Sequence, residues 1–383
     1  MKFFHISDLH IGLKLVNRDL REDQEYILRQ IVQAAKREQP DAVVIAGDLY
    51  DKAAPSAEAV EVFGNFITDL TSAVPGAAVM MISGNHDSAP RIDCFRGVLF
   101  RQNVYMIGMP PQKEEDTIEK VVLQDAYGKV NFYLLPFVKP SAVKQIVGVD
   151  ADGNNLSYND TIHKLLAREH IDPCERNVFV SHQFYLPAGT AADDVERMDS
   201  EIRTVGNIDE VSADVLEPFD YAALGHIHKP MKAGGETFRY CGTPLACSVS
   251  EAGQKKAILM VELREKGAGA QITALPLRPL RNIRIIKGKV KDVLTQACED
   301  YVTVILTDPE DLDVIDMQER MRAAFPYLLE IRRDNLRKAD YGRELLPEET
   351  TDPFALCCAF LKELDETEQE ILKDVIHTVW EVK

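Results

Sequence analysis

The chain has 383 residues, 45% hydrophobic and 28% charged, which is ordinary globular composition and enough length for two domains or three. No stretch approaches the roughly 20 apolar residues that cross a bilayer, and Asp8 and His10 break the apolar start, so neither a spanning helix nor a secretory leader is expected. A net charge of −18 argues against general affinity for nucleic acid and leaves that function to a local basic patch or to bound cations.

In chain order, residues 2–6 read as a short buried strand. Ile27, Leu28, Ile31, Val32 and Ala35 share one face of a helix predicted over 18–36, which Pro40 stops. The apolar runs 42–46 and 78–82 suit strands buried on both faces, and between them a helix over 56–72 has Ser56 as its N-cap. This β-α-β-α-β start argues for an α/β fold with a largely parallel sheet. Further β-like runs at 119–123, 130–135, 177–181, 221–224, 237–241 and 256–263 imply more than one sheet. Residues 150–155 resemble a calcium loop only loosely and read as a turn.

Near Pro276–Pro279 the composition changes, and Arg278, Arg281, Arg284, Lys287, Lys289 and Lys291 follow with no acid between them. Strands over 283–290, 301–307 and 328–334, with helices near 291–300 and 312–324, predict a small second α/β domain. The expected division is therefore 1–276, 277–341 and an acidic helical tail, 342–383, with amphipathic helices over 354–364 and 368–382. Seven scattered cysteines, odd in number and without a C-x-x-C pair, fit free thiols in a reducing cytoplasm.

Five short motifs lie within the first 230 residues, most of them just after an apolar run: Asp8-Leu9-His10, Gly47-Asp48-Leu49-Tyr50-Asp51, Gly84-Asn85-His86-Asp87, Ser181-His182-Gln183 and Gly225-His226-Ile227-His228. In α/β sheets, sites form beyond the carboxyl ends of strands, so these motifs are expected on one rim. A lone histidine at a strand end is usually structural, and His5, His163, His170 and His377 are read that way. The ordered series is different. Asp8, His10, Asp48, Asn85, His182, His226 and His228 make seven oxygen and imidazole donors, which suit manganese, iron or zinc and are too many for one ion. Two divalent ions sharing a bridging carboxylate would use them, as in phosphoryl transfer.

The series D-x-H, G-D-x-x-D, G-N-H-D, H and G-H-x-H resembles the calcineurin-like metallophosphoesterase superfamily over roughly 1–260. Within it, HISDLHIG, the Ser-His-Gln before a long insertion, the GHIHKP ending and the small C-terminal domain resemble the bacterial SbcD-type nuclease subunits. The resemblance implies a four-layer α-β-β-α sandwich with a small α/β capping domain and C-terminal helices. It implies two divalent ions, manganese by expectation, one held by Asp8, His10, Asp48 and His228 and the other by the bridging Asp48 with Asn85, His182 and His226. His86 would then stabilise charge at phosphorus or protonate the leaving oxygen, and Asp51 would orient the His86 ring, while Asp87 is read as a structural cap. It further implies exonuclease action from 3′ ends, endonuclease action on hairpins and single strands, and an SMC-like ATPase partner, SbcC, bound by the C-terminal helices. A homodimer within a heterotetramer would form through the helix near 56–72, with Val60, Phe63 and Ile67, and the segment 90–101, with Ile92, Phe95 and Leu99. Duplex and hairpin DNA are the expected substrates, with Arg284, Lys287, Lys289 and Lys291 as DNA contacts and the last three on one face; a solvated, lysine-protected edge strand is the plain alternative. A phosphomonoesterase, a cyclic-nucleotide phosphodiesterase and a non-catalytic scaffold of an ATPase complex are the rival functions.

Overall fold

The structure is a computed structural model that describes residues 1–187, 189–190, 198–201, 209–308, 314–334, 368–369 and 371–372. Apolar runs build its centre. Lys2–Ile6, Ala42–Ala46, Ala78–Ile82 and Val104–Ile107 pair in that order as parallel strands, and Lys256–Leu263 and Ala270–Leu277 extend the sheet antiparallel beyond the first. A second six-stranded sheet has Tyr221–Leu224, Arg176–Ser181 and Gly128–Leu135 as parallel neighbours at its middle.

Because both faces of these strands are covered, their side chains alternate between two cores. Phe3, Val44, Met80 and Val261 meet Phe132, Val178, Val180 and Tyr221 between the sheets. Phe4, Ile6, Val43 and Ile45 face outward onto the helices Arg21–Glu38 and Ala57–Ala73. Pro140–Val147 and Tyr158–Leu166 cover the outer face of the second sheet. The four expected layers are present.

Most element boundaries fall within a few residues of the expected ones, and the exceptions have local causes. The first helix starts at Arg21 rather than Arg18, because Arg18–Asp19 pairs with Lys14–Leu15 in a two-stranded ribbon and the Asp19 carboxylate accepts from the Arg21 N–H at 2.9 Å. Ser56 caps the second helix, accepting from the Ala59 N–H at 3.3 Å. Residues 150–155 form a turn, with the Asp150 carboxylate accepting from the Asp152 and Asn154 N–H groups. Cys94, Cys174, Cys241, Cys247 and Cys298 are free thiols.

The chain divides into two compact units, Met1–Arg332 and Arg333–Lys383. The first takes in nearly all of a three-stranded sheet, Ile283–Gly288, Tyr301–Leu306 and Leu328–Arg333, which has its own core of Ile286, Val302, Val304, Met321 and Phe325. That sheet is fastened to the larger body. Tyr301 packs with Leu15 and Leu20, its hydroxyl donates to the buried Asp23 at 2.7 Å, and Arg281 bonds Glu22 and Asp23 while lying over the Tyr327 ring. The helix expected over 291–300 is shorter, Val290–Val293 followed by a 3-10 turn at Leu294–Gln296.

Of the expected dimer residues, Phe63 and Ile92 are buried in the chain's own core, and Ile67 and Leu99 pack against it. Val60 remains exposed, as do Phe95, Val98 and Phe100. Of the two C-terminal helices expected, only Glu368, Gln369, Ile371 and Leu372 lie within the described residues, and they are helical.

Candidate metal centre

Five strands end at one rim. Asp8 and His10 follow Lys2–Ile6, Asp48 follows Ala42–Ala46, Asn85 follows Ala78–Ile82, His182 follows Arg176–Ser181, and His226 and His228 follow Tyr221–Leu224. Backbone pairing continues past the first two strands, with Asp8 N–H donating to Gly47 O at 3.0 Å and His10 N–H to Asp48 O at 3.0 Å. The chain then turns sharply: Asp8, His10, Asp48 and His226 all have positive φ, at 53°, 42°, 49° and 99°. Glycine is required where these loops touch. A Cβ on Gly84 would collide with the Asp48 carboxylate and backbone, and one on Gly225 with Ala46 O and the His182 ring.

The seven sequence-predicted ligands come together. His182 Nε2 lies 3.2 Å from Asp48 Oδ2 and 3.1 Å from Asn85 Oδ1. His226 Nδ1 reaches the same Asn85 oxygen at 2.9 Å, while its N–H donates to Asp8 Oδ1 at 3.0 Å. His10 Nε2 stands 3.6 Å from Asp48 Oδ2 and 3.2 Å from His228 Nε2. Asp8, His10 and His228 offer ligand atoms within 4.8 Å of one another, as do Asp8, Asp48 and His182, and as do His10, Asp48 and His86. The arrangement fits divalent ions. Two imidazole nitrogens face each other at His10 and His228, the other nitrogen of His10 has no hydrogen-bond partner, and the surrounding donors are carboxylate, amide oxygen and imidazole.

Burial makes the charges interdependent. It drives His10 down to about 3, so that ring is neutral near neutrality. His182 moves the other way, up to about 9, because the Asp48 and Asp8 charges and the Ala46 carbonyl outweigh its burial. Burial would also raise the Asp48 carboxyl, but His182 and His10 hold it below the usual carboxylate range.

Residues 1–230 match the family described as calcineurin-like phosphoesterase. The SbcD component of the SbcCD nuclease of Staphylococcus saprophyticus is 30% identical over 301 residues, covering 78% of this chain and 75% of that protein. The chain belongs to the calcineurin-like phosphoesterases, among the SbcD nuclease subunits. The corresponding SbcD protein of Staphylococcus epidermidis is 29% identical over 336 residues, covering 86% of this chain and 84% of that protein. Residues 276–363 match a family described as the type 5 capsule protein repressor C-terminal domain. A solved dimetal phosphatase from Danio rerio overlays with a TM-score of 0.40 at 14% identity, covering 73% of this chain and 99% of that one.

In this phosphoesterase Asp51 meets the His86 ring through its backbone rather than its side chain. His86 Nδ1 bonds the Asp51 backbone carbonyl at 3.0 Å, while the Asp51 carboxylate lies 3.8 Å from His10 Nδ1. Asp87 is structural, as expected: its carboxylate accepts from the Gly84, Leu49 and Tyr50 N–H groups and ties two rim loops together. The expected basic face is not formed as such. Its strand ends at Gly288, so Lys289 and Lys291 sit at and within the next helical turn, off the strand face of Lys287, and Arg284 is paired with Asp300 at 2.6 Å. Sequence reading passed over Phe137, stacked near-parallel on the His226 ring at 6.4 Å, and over Ser200 and Glu251, which stand behind His228. Those residue types are common and carry no spacing signal.

Proposed function

We propose that this phosphoesterase is the catalytic component of a DNA-processing nuclease, hydrolysing phosphodiester bonds at 3′ ends, hairpins and single strands with two manganese ions. The observation that carries the reading is the convergence of seven metal-ligand side chains from five strand ends on one buried rim. Asp8, His10, Asp48 and His228 would hold one ion, and Asp48, Asn85, His182 and His226 the other. Such ions supply Lewis acidity at the phosphate and lower the pKa of water to about 7, so that a nucleophile exists near neutrality. His86, fixed through Nδ1 on the Asp51 carbonyl, presents its other nitrogen for charge on phosphorus or a proton for the leaving oxygen.

The names of the relatives, subunits of an SbcCD nuclease, support a working partnership with SbcC; our reading makes that partner an SMC-like ATPase and the assembly a cytoplasmic heterotetramer. Residues 342–383 are the proposed dock for that ATPase. The exposed Val60, Phe95, Val98 and Phe100 are the proposed contact between two copies of this chain. Exposed Lys287, Lys289 and Lys291, with Arg284, would neutralise DNA phosphate, so binding should weaken steeply with salt.

The test is manganese-dependent cleavage of end-labelled duplex and hairpin DNA by the wild type and His86→Ala, with and without the ATPase and ATP. His86→Ala should bind manganese like the wild type and lose turnover by roughly 10²–10⁴-fold. Hydrolysis of a small phosphoester with no cleavage of any DNA would move the protein to another substrate class.

A further inference from the structure

His228 is held on every side except the one that faces the metal-ligand cluster. Its backbone N–H donates to Glu201 Oε1 at 2.9 Å. Its carbonyl accepts from the Thr243 N–H and from Lys256 Nζ, each at 3.2 Å. Behind the ring, Nδ1 meets Ser200 Oγ at 2.8 Å and Glu251 Oε1 at 3.4 Å, and Ser200 Oγ donates to the same Glu251 oxygen at 2.9 Å. The directions are consistent: Nδ1–H donates to Ser200, and Ser200 donates to Glu251. An acceptor behind Nδ1 fixes the proton there, so the lone pair of Nε2 points toward His10 and the carboxylates.

Glu251 is itself immobilised. It is 1% exposed. Its Oε2 accepts from Lys256 Nζ at 2.6 Å and from Thr243 Oγ1 at 3.0 Å, while its Oε1 accepts from the Cys247 N–H at 3.1 Å. A buried carboxylate and ammonium are expensive to desolvate, so such a pair adds little to stability and marks another use. His228, Cys247 and Glu251 could be taken for a separate cation site. The ammonium of Lys256 against Glu251 excludes that, because a cation there would face a fixed positive charge.

We infer that Glu251, acting through Ser200 and held by Lys256, is a positioning residue that sets the tautomer and direction of His228 as a metal ligand. The inference rests on the two-ion reading of the rim. The 3-10 turn Val249–Glu251 that carries the carboxylate also packs, through Val249, into the cluster of Tyr301, Ile283 and Tyr327 that fastens the small sheet to the larger body. The hold on His228 therefore extends to the second sheet-bearing part of the chain.

The experiment is a manganese titration of the full chain by calorimetry and electron paramagnetic resonance. Three proteins are compared: wild type, Ser200→Ala, and the double variant Glu251→Gln with Lys256→Met. Ser200→Ala leaves the buried ion pair intact, and the double variant removes both charges together, so neither strands a lone charge. One of two manganese sites should weaken by roughly 10–100-fold in the double variant, and by less in Ser200→Ala, with unchanged melting temperature in Ser200→Ala. The manganese–manganese exchange signature of the wild type should fade in parallel. Two sites of wild-type affinity in Ser200→Ala, folded as the wild type, overturn the inference whatever the double variant does. A wild type that binds no manganese would instead defeat the two-ion reading itself.

Discussion

Four of the seven ligand candidates carry left-handed backbone, at Asp8, His10, Asp48 and His226. Each such residue costs of the order of 1–3 kcal/mol, and the strain persists because the surrounding loops determine it. The Gly84 loop is one of these supports. Gly84→Ala should destabilise the fold by roughly 1–3 kcal/mol and weaken manganese binding, since its methyl group displaces Asp48; denaturant unfolding and metal titration would measure both. The Asp51 contacts make a sharper prediction. Because the backbone carbonyl, not the carboxylate, receives His86, Asp51→Asn should lower turnover far less than His86→Ala does. A loss as deep as that of His86→Ala, at saturating manganese, would show that the carboxylate also serves His86.

The strand Lys2–Ile6 shows how one element serves two cores and the site. Phe4 and Ile6 face the helices, Phe3 faces the second sheet, and the next residues supply Asp8 and His10. His5 is the exception, a buried imidazole in the apolar layer, bonded to the Tyr221 hydroxyl at 2.9 Å and the Leu224 carbonyl at 3.2 Å. Burial pushes it down to about 3, against the ordinary value of 6.5. Between those values the unfolded chain binds a proton that the fold does not. Its contribution to stability is therefore complete above the ordinary value and is lost as pH falls toward the lower one. His5→Gln should flatten the acid side of the stability curve by up to roughly 1.4 kcal/mol per pH unit, seen by comparing urea unfolding near neutrality and at about pH 5. Equal slopes in the two proteins would mean that His5 is protonated in the fold.

At the scale of the molecule, the small sheet is fastened to the phosphoesterase body by a polar clamp as well as by apolar packing. Arg281 bonds Glu22 and Asp23 and lies 4.2 Å from the Tyr327 ring centroid, and Tyr301 shares Asp23. Its place in the sequence, among six basic residues, suggests a DNA-facing segment, yet this arginine faces inward. Arg281→Ala should cost about 1–3 kcal/mol by leaving the buried Asp23 short of a partner. Hydrogen exchange should then rise in Ile283–Gly288 and Tyr301–Leu306 before it rises in the six-stranded sheets. Uniform loss of protection would show that the small sheet and the body open as one.

What could be read from the sequence was what repeats locally. Continuous apolar runs at 42–46 and 78–82 announce strands buried on both sides, the helical stripe from Ile27 to Ala35 announces a covering helix, and the ligand-rich motifs after those strands announce a metal rim, because a strand must deliver its next residues to one edge. Short or intermittently polar elements were not legible: Val104–Ile107 has four residues, and Ala270–Leu277 is a sheet edge interrupted by Pro276. Contacts between distant residues were not legible either. Whether Asp51 meets His86 by its carboxylate or its carbonyl, whether Arg281 faces DNA or Asp23, and that Glu251 stands behind His228 depend on loop paths and rotamers selected by packing between segments far apart in the chain. Local sequence encodes period and chemical type, and only the folded tertiary structure sets the direction in which each side chain points.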